Sequence, residues 1–173
     1  MRILALLCWL VLAVAGASAA GLEVGDPAPN FTLQATDGQS YTLADFKGRQ
    51  AVVIAWFPRA FTSGCTVECR SLAQNGHLIR KYDVAYFMAS VDPLRENIGF
   101  AEATAADFPL LSDPSKEVAD AYGVLQMGLA RRETFYIGID GTILRIDRKV
   151  NPATSAEDIA ANLAQLGIAP AAP

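Results

Sequence analysis

The chain has 173 residues, 52% of them hydrophobic, with 14 Lys and Arg against 18 Asp and Glu for a net charge of −4. That is enough apolar material for one ordinary domain with its own core, and the acidic balance argues against a nucleic-acid partner. Of three cysteines, two lie four residues apart, which excludes a disulfide-built scaffold because so short a loop removes little entropy from the unfolded chain.

Residues 1–19 read as a secretory signal peptide. Arg2 supplies the positive start, Ile3 to Ala15 is an apolar run, and Ala17-Ser18-Ala19 places cleavage near Ala19/Ala20. An uncleaved membrane anchor is the alternative, since apolar and small residues continue to Ala20, but the apolar run is shorter than the ~20 residues a span needs. The expectation is an exported protein, periplasmic or secreted, whose residues 20–173 form a single domain with no membrane attachment after cleavage. Loss of the leader removes Cys8 and leaves Cys65 and Cys69 as the thiols of the exported protein.

Along that domain, Phe31-Thr32-Leu33 and Tyr41-Thr42-Leu43 flank Asp37-Gly38, a hairpin signal. Ala51 to Phe57, "AVVIAWF", is an unbroken apolar run ended by Pro58, the pattern of a strand covered on both faces. From Cys65, the positions Cys69, Leu72, Gly76 and Ile79 follow 4-3-4-3 steps and predict a helix. Val84 to Val91 is the next buried strand, and Asp92-Pro93 opens a helix carrying Ile98 and Ala101. Phe108 to Ser112 reads as a short strand, after which Asp113-Pro114 caps and starts a helix that Gly123 stops. Glu133 to Ile139 and Thr142 to Arg148 pair around Asp140-Gly141. Ser155 to Asp158 has the form of a capping box ahead of Ile159, Leu163 and Leu166, and Gly167 closes the last helix. Strands alternating with helices, with hairpins near both ends, predict a three-layer α/β/α domain with a mixed sheet and an N-terminal hairpin.

The chemistry concentrates in "WFPRAFTSGCTVECRSL", Trp56 to Leu72. Cys65 falls where a buried strand ends, a loop turns and a helix begins. Free amides and the positive end of the helix dipole meet there, so a thiolate is favoured over a thiol. A small buried hydrophobe is the plainer use of a cysteine.

Pro58, Thr62 and Cys65, spaced as Pro-x-x-x-Thr-x-x-Cys, resemble the peroxidatic signature of peroxiredoxins, particularly the branch called PrxQ or bacterioferritin comigratory protein. The likeness extends from "GDPAPNFTL" (Gly25 to Leu33) through "FPLLSDPSKEVADAYGV" (Phe108 to Val124) to "RETFYIGIDG" (Arg132 to Gly141), and so covers nearly the whole mature chain. The resemblance implies a thioredoxin-like fold and a thiol-dependent peroxidase without metal or organic cofactor. Cys65 would attack a peroxide oxygen, expel water or an alcohol, and become a sulfenic acid. In that reading Thr62, the amides around Gly64 and Cys65, and the Arg132 guanidinium are donors aimed at the breaking O–O bond, and Pro58, lacking an N–H, walls the pocket. Each has a plainer role as well: Thr62 as a helix N-cap, Pro58 as a strand terminator, Arg132 as a solvated side chain with Arg131 beside it. The Arg-x-Thr-Phe register selects Arg132. Glu68 matches the family's glutamate and would orient the arginine, although an acid in a helix's first turn also needs no such role.

Cys69 is open between two roles. The branch places its resolving cysteine five residues after the peroxidatic one, whereas "GCTVEC" has four. On an intact helix that spacing holds Cβ atoms about 5 to 6 Å apart, against about 3.5 to 4.5 Å in a disulfide. Either the first turn unwinds and a Cys65–Cys69 disulfide forms, or Cys69 is core and an external thiol, thioredoxin-like or glutathione-type, reduces Cys65. Trp56 and Phe61-Thr62-Ser63 also depart from the family pattern, and both are expected beside the pocket as an apolar rim favouring organic hydroperoxides. The resemblance is compatible with a monomer or a weak dimer.

Two other classes compete. A thiol-disulfide exchange protein needs Cys-x-x-Cys, which is absent. A copper-delivery protein of the SCO type uses Cys-x-x-x-Cys, the spacing of Cys65 and Cys69, with a distant His completing the site. His77, the single histidine, is expected on the helix that begins at Cys65, and the last hairpin carries Arg132, which repels a cation.

Overall fold

The computed structural model describes residues 21–172, and the leader assigned to residues 1–19 lies outside them. The first hairpin forms as expected: β1 (Thr32–Ala35) and β2 (Ser40–Thr42) pair antiparallel, with Gly38 taking the positive φ of 82° that the turn requires. β3 (Ala51–Trp56) is buried along its whole length. It leads into α1 (Ser63–Asn75), then β4 (Val84–Ser90), α2 (Leu94–Thr104), β5 (Leu110–Ser112) and α3 (Glu117–Ala121). A two-stranded ribbon, β6 (Leu125–Gln126) and β7 (Leu129–Ala130), precedes β8 (Glu133–Ile137), β9 (Ile143–Asp147) and α4 (Ser155–Gln165). Among the described residues no helix is long and apolar enough to cross a membrane.

Seven strands form one mixed sheet in the order β2-β1-β5-β4-β3-β8-β9. β3, β4 and β5 run parallel to their neighbours in that trio, while β8 and β9 extend the sheet antiparallel from β3. The strand period of two then sorts the core into two halves. Val52, Ile54 and Trp56 of β3, with Phe135 and Ile137 of β8, face α3 through Ala119 and Tyr122. Val53 and Ala55, with Tyr136, face α1, α2 and α4 through Cys65, Cys69, Leu72, Phe100, Ile159 and Leu163. One face thus carries three helices, and the other carries the short α3 with a single 3-10 turn at Leu43–Phe46.

Two local expectations need correction, and two features go beyond the sequence reading. α2 carries Ile98 and Ala101 as expected, both half-exposed, and buries Asn97, Phe100 and Thr104, because the helix turns Phe100 against Phe57 and its polar Asn97 into the sheet end. α3 starts at Glu117 rather than at Pro114, since Lys116 adopts a left-handed φ of 67° that breaks helical continuity; Asp113 still caps it, accepting from Ala119 N at 2.8 Å. α4 has no capping box: Ser155 is its first residue, buried, and its hydroxyl is turned toward α1. The β6–β7 ribbon was not expected, because its turn uses Met127 and Gly128, at φ 48° and 80°, and methionine is not a residue that announces a left-handed turn.

Candidate active site

β3 ends where Pro58 offers no amide to continue the ladder; the last sheet-like bond runs from Phe57 N to Ala89 O at 2.9 Å. The chain then turns through Arg59 to Thr62, with Phe61 at a positive φ of 61° and its ring edge-on to Phe100 at 5.4 Å between centroids. Thr62 is extended and precedes the helix. In α1 the Thr66 amide is the first to reach a carbonyl four residues back, that of Thr62, which leaves the amides of Ser63, Gly64 and Cys65 ahead of the helical ladder. Cys65, the third helical residue, therefore sits at the positive end of the helix dipole, and its side chain is fully buried.

The register of β8 decides which arginine meets it. Trp56 pairs with Glu133 and Ala55 with Thr134, so alternation puts Glu133 and Phe135 on the Trp56 side and Thr134 and Tyr136 on the α1 side. Continued backward, the same alternation sends Arg131 with Glu133 and Arg132 with Thr134. Arg131 donates to Glu133 Oε1 at 2.8 Å and to Gly123 O at 2.7 Å, away from the thiol. Arg132 Nη2 donates to Cys65 Sγ at 3.2 Å, and its Nη1 forms an ion pair with Glu68 Oε2.

Glu68 is completely buried in α1, one turn beyond Cys65, and accepts a long hydrogen bond from Ser155 Oγ at 3.5 Å. A buried carboxylate is tolerated only when paired, and its partner here is the guanidinium it holds over the sulfur. Gly64 leaves the space for that guanidinium: a Cβ at this position would lie 3.2 Å from Arg132 Nη2. The sequence reading includes Gly64 in the site for its amide but not for the space it leaves, and it does not include Ser155 there. Ser155 carries no local signal for it, being 87 residues from Glu68 in the chain.

The remaining candidates are placed less directly. Pro58 is half-buried at the end of β3. Thr62 is exposed, and its hydroxyl donates to Arg59 O at 2.9 Å, so in this state its proton braces the loop instead of facing the sulfur. Trp56 does not rim the site. It projects from the opposite face of the sheet and packs against Tyr122 at 6.0 Å between ring centroids, because it is one residue out of phase with Ala55 and Phe57. Phe61, by contrast, is 56% exposed in the loop that enters α1.

Cys69 is buried in α1 beside α2. Thr104 Oγ1 donates its proton to Phe100 O at 2.7 Å, so the 3.1 Å contact between Cys69 Sγ and Thr104 Oγ1 is a thiol donating to a hydroxyl. Burial pushes the Cys69 thiol up to about 11, against a smaller downward pull from Thr104 and a further upward push from Cys65. Cys69 is thus a protonated thiol at neutral pH, and both cysteines are free. His77 is exposed in the 3-10 turn after α1, and at about 1.5 Å per helical residue it lies about 18 Å along the axis from Cys65. It cannot complete a metal site with the two thiols.

The model of the AhpC/TSA family matches residues 24–146, which include the whole β3–α1 junction and Arg132. The chain belongs to the AhpC/TSA family. Within it, the chain is 38% identical over 103 residues to peroxiredoxin Bcp of Escherichia coli, an alignment covering 60% of this chain and 65% of that protein. It is 37% identical over 126 residues to alkyl hydroperoxide reductase E of Mycobacterium tuberculosis, covering 70% of this chain and 82% of the relative. The match to the Escherichia coli protein thus spans just under two thirds of its length. Among solved structures, peroxidoxin BcpB of Mycobacterium tuberculosis superposes with a TM-score of 0.75 at 29% identity, over 83% of this chain and 97% of that one. A PrxQ variant of Xylella fastidiosa superposes with a TM-score of 0.78 at 22% identity, over 86% and 99%, and shares the fold. The fold is therefore the thioredoxin-like one of the peroxiredoxins, and this AhpC/TSA chain is similar to their PrxQ and Bcp branch.

Proposed function

We propose that the protein is a thiol-dependent peroxidase acting on hydrogen peroxide and organic hydroperoxides through Cys65. The observation that carries this reading is the 3.2 Å contact between Arg132 Nη2 and Cys65 Sγ, made at a helix N-terminus with Glu68 fixing the guanidinium. A cation and free amides facing a sulfur attract a thiolate and then an anionic leaving oxygen, and they repel a metal cation. That electrostatic sign, together with the position of His77, favours peroxide over copper as the ligand of this thiol.

In the reaction a sulfur lone pair attacks one peroxide oxygen and the O–O bond breaks. The departing oxygen takes the bonding pair and a proton and leaves as water or an alcohol, and Cys65 becomes a sulfenic acid. Because Cys65 is buried beneath Arg132, the incoming peroxide replaces the direct guanidinium–sulfur contact. The same N–H groups then turn to the two oxygens, where charge develops. A second thiol attacks the sulfenic sulfur, releasing water and forming a disulfide. That thiol is either Cys69, after the first turns of α1 unwind, or a thioredoxin-like or glutathione-type donor. The signal-peptide reading of residues 1–19 puts such a donor and the protein outside the cytoplasm, in the periplasm or beyond, and the family likeness is compatible with a monomer or weak dimer.

Peroxide consumption by the wild type and by Cys65→Ser, with intact mass after one equivalent of peroxide, tests the reading. Loss of two hydrogens identifies a Cys65–Cys69 disulfide, and gain of one oxygen on Cys65 identifies external reduction. Full peroxidase activity in Cys65→Ser would rule out the mechanism.

A further inference from the structure

Asp92 lies two residues beyond the end of β4 and, as the sequence suggests, stands where it could cap α2. It does not do so: α2 begins after Pro93 without a side-chain cap. The Asp92 carboxylate turns instead to the thiol loop, where its Oδ2 accepts the Ala60 amide at 2.9 Å, a bond between residues 32 apart in sequence. The same oxygen accepts from Ser90 Oγ at 3.0 Å. Asn97 of α2, fully buried, donates to Ser90 Oγ at 3.1 Å and to Ser112 Oγ of β5 at 2.8 Å. Asn97 of α2, anchored on Ser112 of β5, thus holds Ser90 of β4, whose hydroxyl in turn holds the carboxylate that grips the middle of the loop delivering Cys65 to its helix mouth.

The grip acts at a strained point. Ala60 immediately precedes Phe61, whose φ of 61° is unfavourable for a bulky side chain and persists only when its surroundings impose it. Asp92 fixes the residue before Phe61, and Phe100 receives the Phe61 ring from the other side. Between them they set the start of α1, two residues ahead of Cys65.

We propose that Asp92 is a positioning residue for the peroxide reaction, holding the Ala60–Thr62 loop so that Cys65 and its flanking amides keep the geometry that peroxide attack requires. The role rests on the peroxidase reading and acts through the loop, without contact between Asp92 and the thiol. Attack on an O–O bond needs alignment of sulfur, both oxygens and their donors, whereas alkylation of the same thiol needs little beyond access, so the ratio of the two rates reports positioning.

The test is the second-order rate of Cys65 with hydrogen peroxide and with iodoacetamide in full-length wild type, Asp92→Ala and Asp92→Asn. Asparagine keeps an oxygen that accepts from both Ala60 N and Ser90 Oγ. Asp92→Ala is expected to lose about 100-fold in the peroxide rate, the order of a 1 Å misplacement, while alkylation stays level or rises and Asp92→Asn stays within about threefold of wild type. Should Asp92→Ala fail to fold, Asp92→Ser, which is too short to reach Ala60, replaces it under the same ratio. An unchanged peroxide rate in an active protein, an equal fall in both rates, or an asparagine variant as impaired as the alanine one overturns the role of Asp92. A wild type that consumes no peroxide overturns the peroxidase reading instead.

Discussion

Arg132 and Cys65, 67 residues apart in the chain, meet at 3.2 Å where the start of β8 passes the first turn of α1. Arg131, its neighbour, projects from the other face of the sheet to Glu133. Two adjacent arginines of identical chemistry are thereby given different environments by strand alternation alone.

Arg132→Ala is expected to lower the peroxide rate constant by about 100- to 1,000-fold, the usual cost of deleting a donor to developing negative charge. Arg131→Ala should leave that rate within about twofold. Parallel rate measurements on the two variants check this, and equal losses would contradict the register.

Glu68→Ala removes the buried partner of Arg132, which is itself largely covered, and breaking such a pair should cost about 3 kcal/mol of stability. Peroxide reactivity should fall with it, since the guanidinium is released from the sulfur. Ser155→Ala removes a weaker contact and should shift the denaturation midpoint by less, with stability from urea titration as the measurement.

Gly64→Ala separates activity from stability. Its Cβ would press on Arg132 Nη2 at 3.2 Å and displace the guanidinium, lowering the peroxide rate. The backbone φ of Gly64 is ordinary and alanine is the better helix former, so stability should hold or rise by about 0.5 kcal/mol. Rate and thermal midpoint moving in opposite directions would bear this out.

Cys69 makes stability depend on alkaline pH. Its thiol lies at about 11 in the folded protein against 9.0 for an unperturbed one, so the folded state favours the protonated form. That contribution is complete below about pH 9 and is lost as pH rises through about 11, amounting to about 2 to 3 kcal/mol across the window. Buried Tyr86 and Tyr136, each pushed up to about 12, add to the loss at its upper end. Cys69→Ala should be less stable than wild type at pH 7 because of the cavity it leaves. The gap should narrow above pH 9, and urea titrations at pH 7, 9 and 10.5 check the trend.

How much of this was legible beforehand follows from the range of each interaction. The apolar run of β3, its stop at Pro58, and the helical stripe through Cys69 and Leu72 are patterns within a few residues, and they located Cys65 at a strand-to-helix junction. The Arg-x-Thr-Phe register pointed to Arg132 only through family likeness; the physical basis, the pairing of β3 with β8, belongs to the sheet. Proximity in sequence suggests that Trp56 lies beside the pocket, yet strand alternation puts it on the far side. Asp92-Pro93 looked like a helix start, and local rules contain nothing that would turn its carboxylate to Ala60.

Local chain order suffices for the identity and setting of the thiol, since amide exposure and dipole direction at a helix mouth are set within one turn of chain. Tertiary structure alone decided what surrounds it: Arg132 above the sulfur, Glu68 and Ser155 behind the guanidinium, Thr104 beside Cys69, and Asp92 gripping the loop. Strand order, register and helix docking bring those groups together, because directional contacts of about 3 Å between distant residues depend on the placement of whole elements.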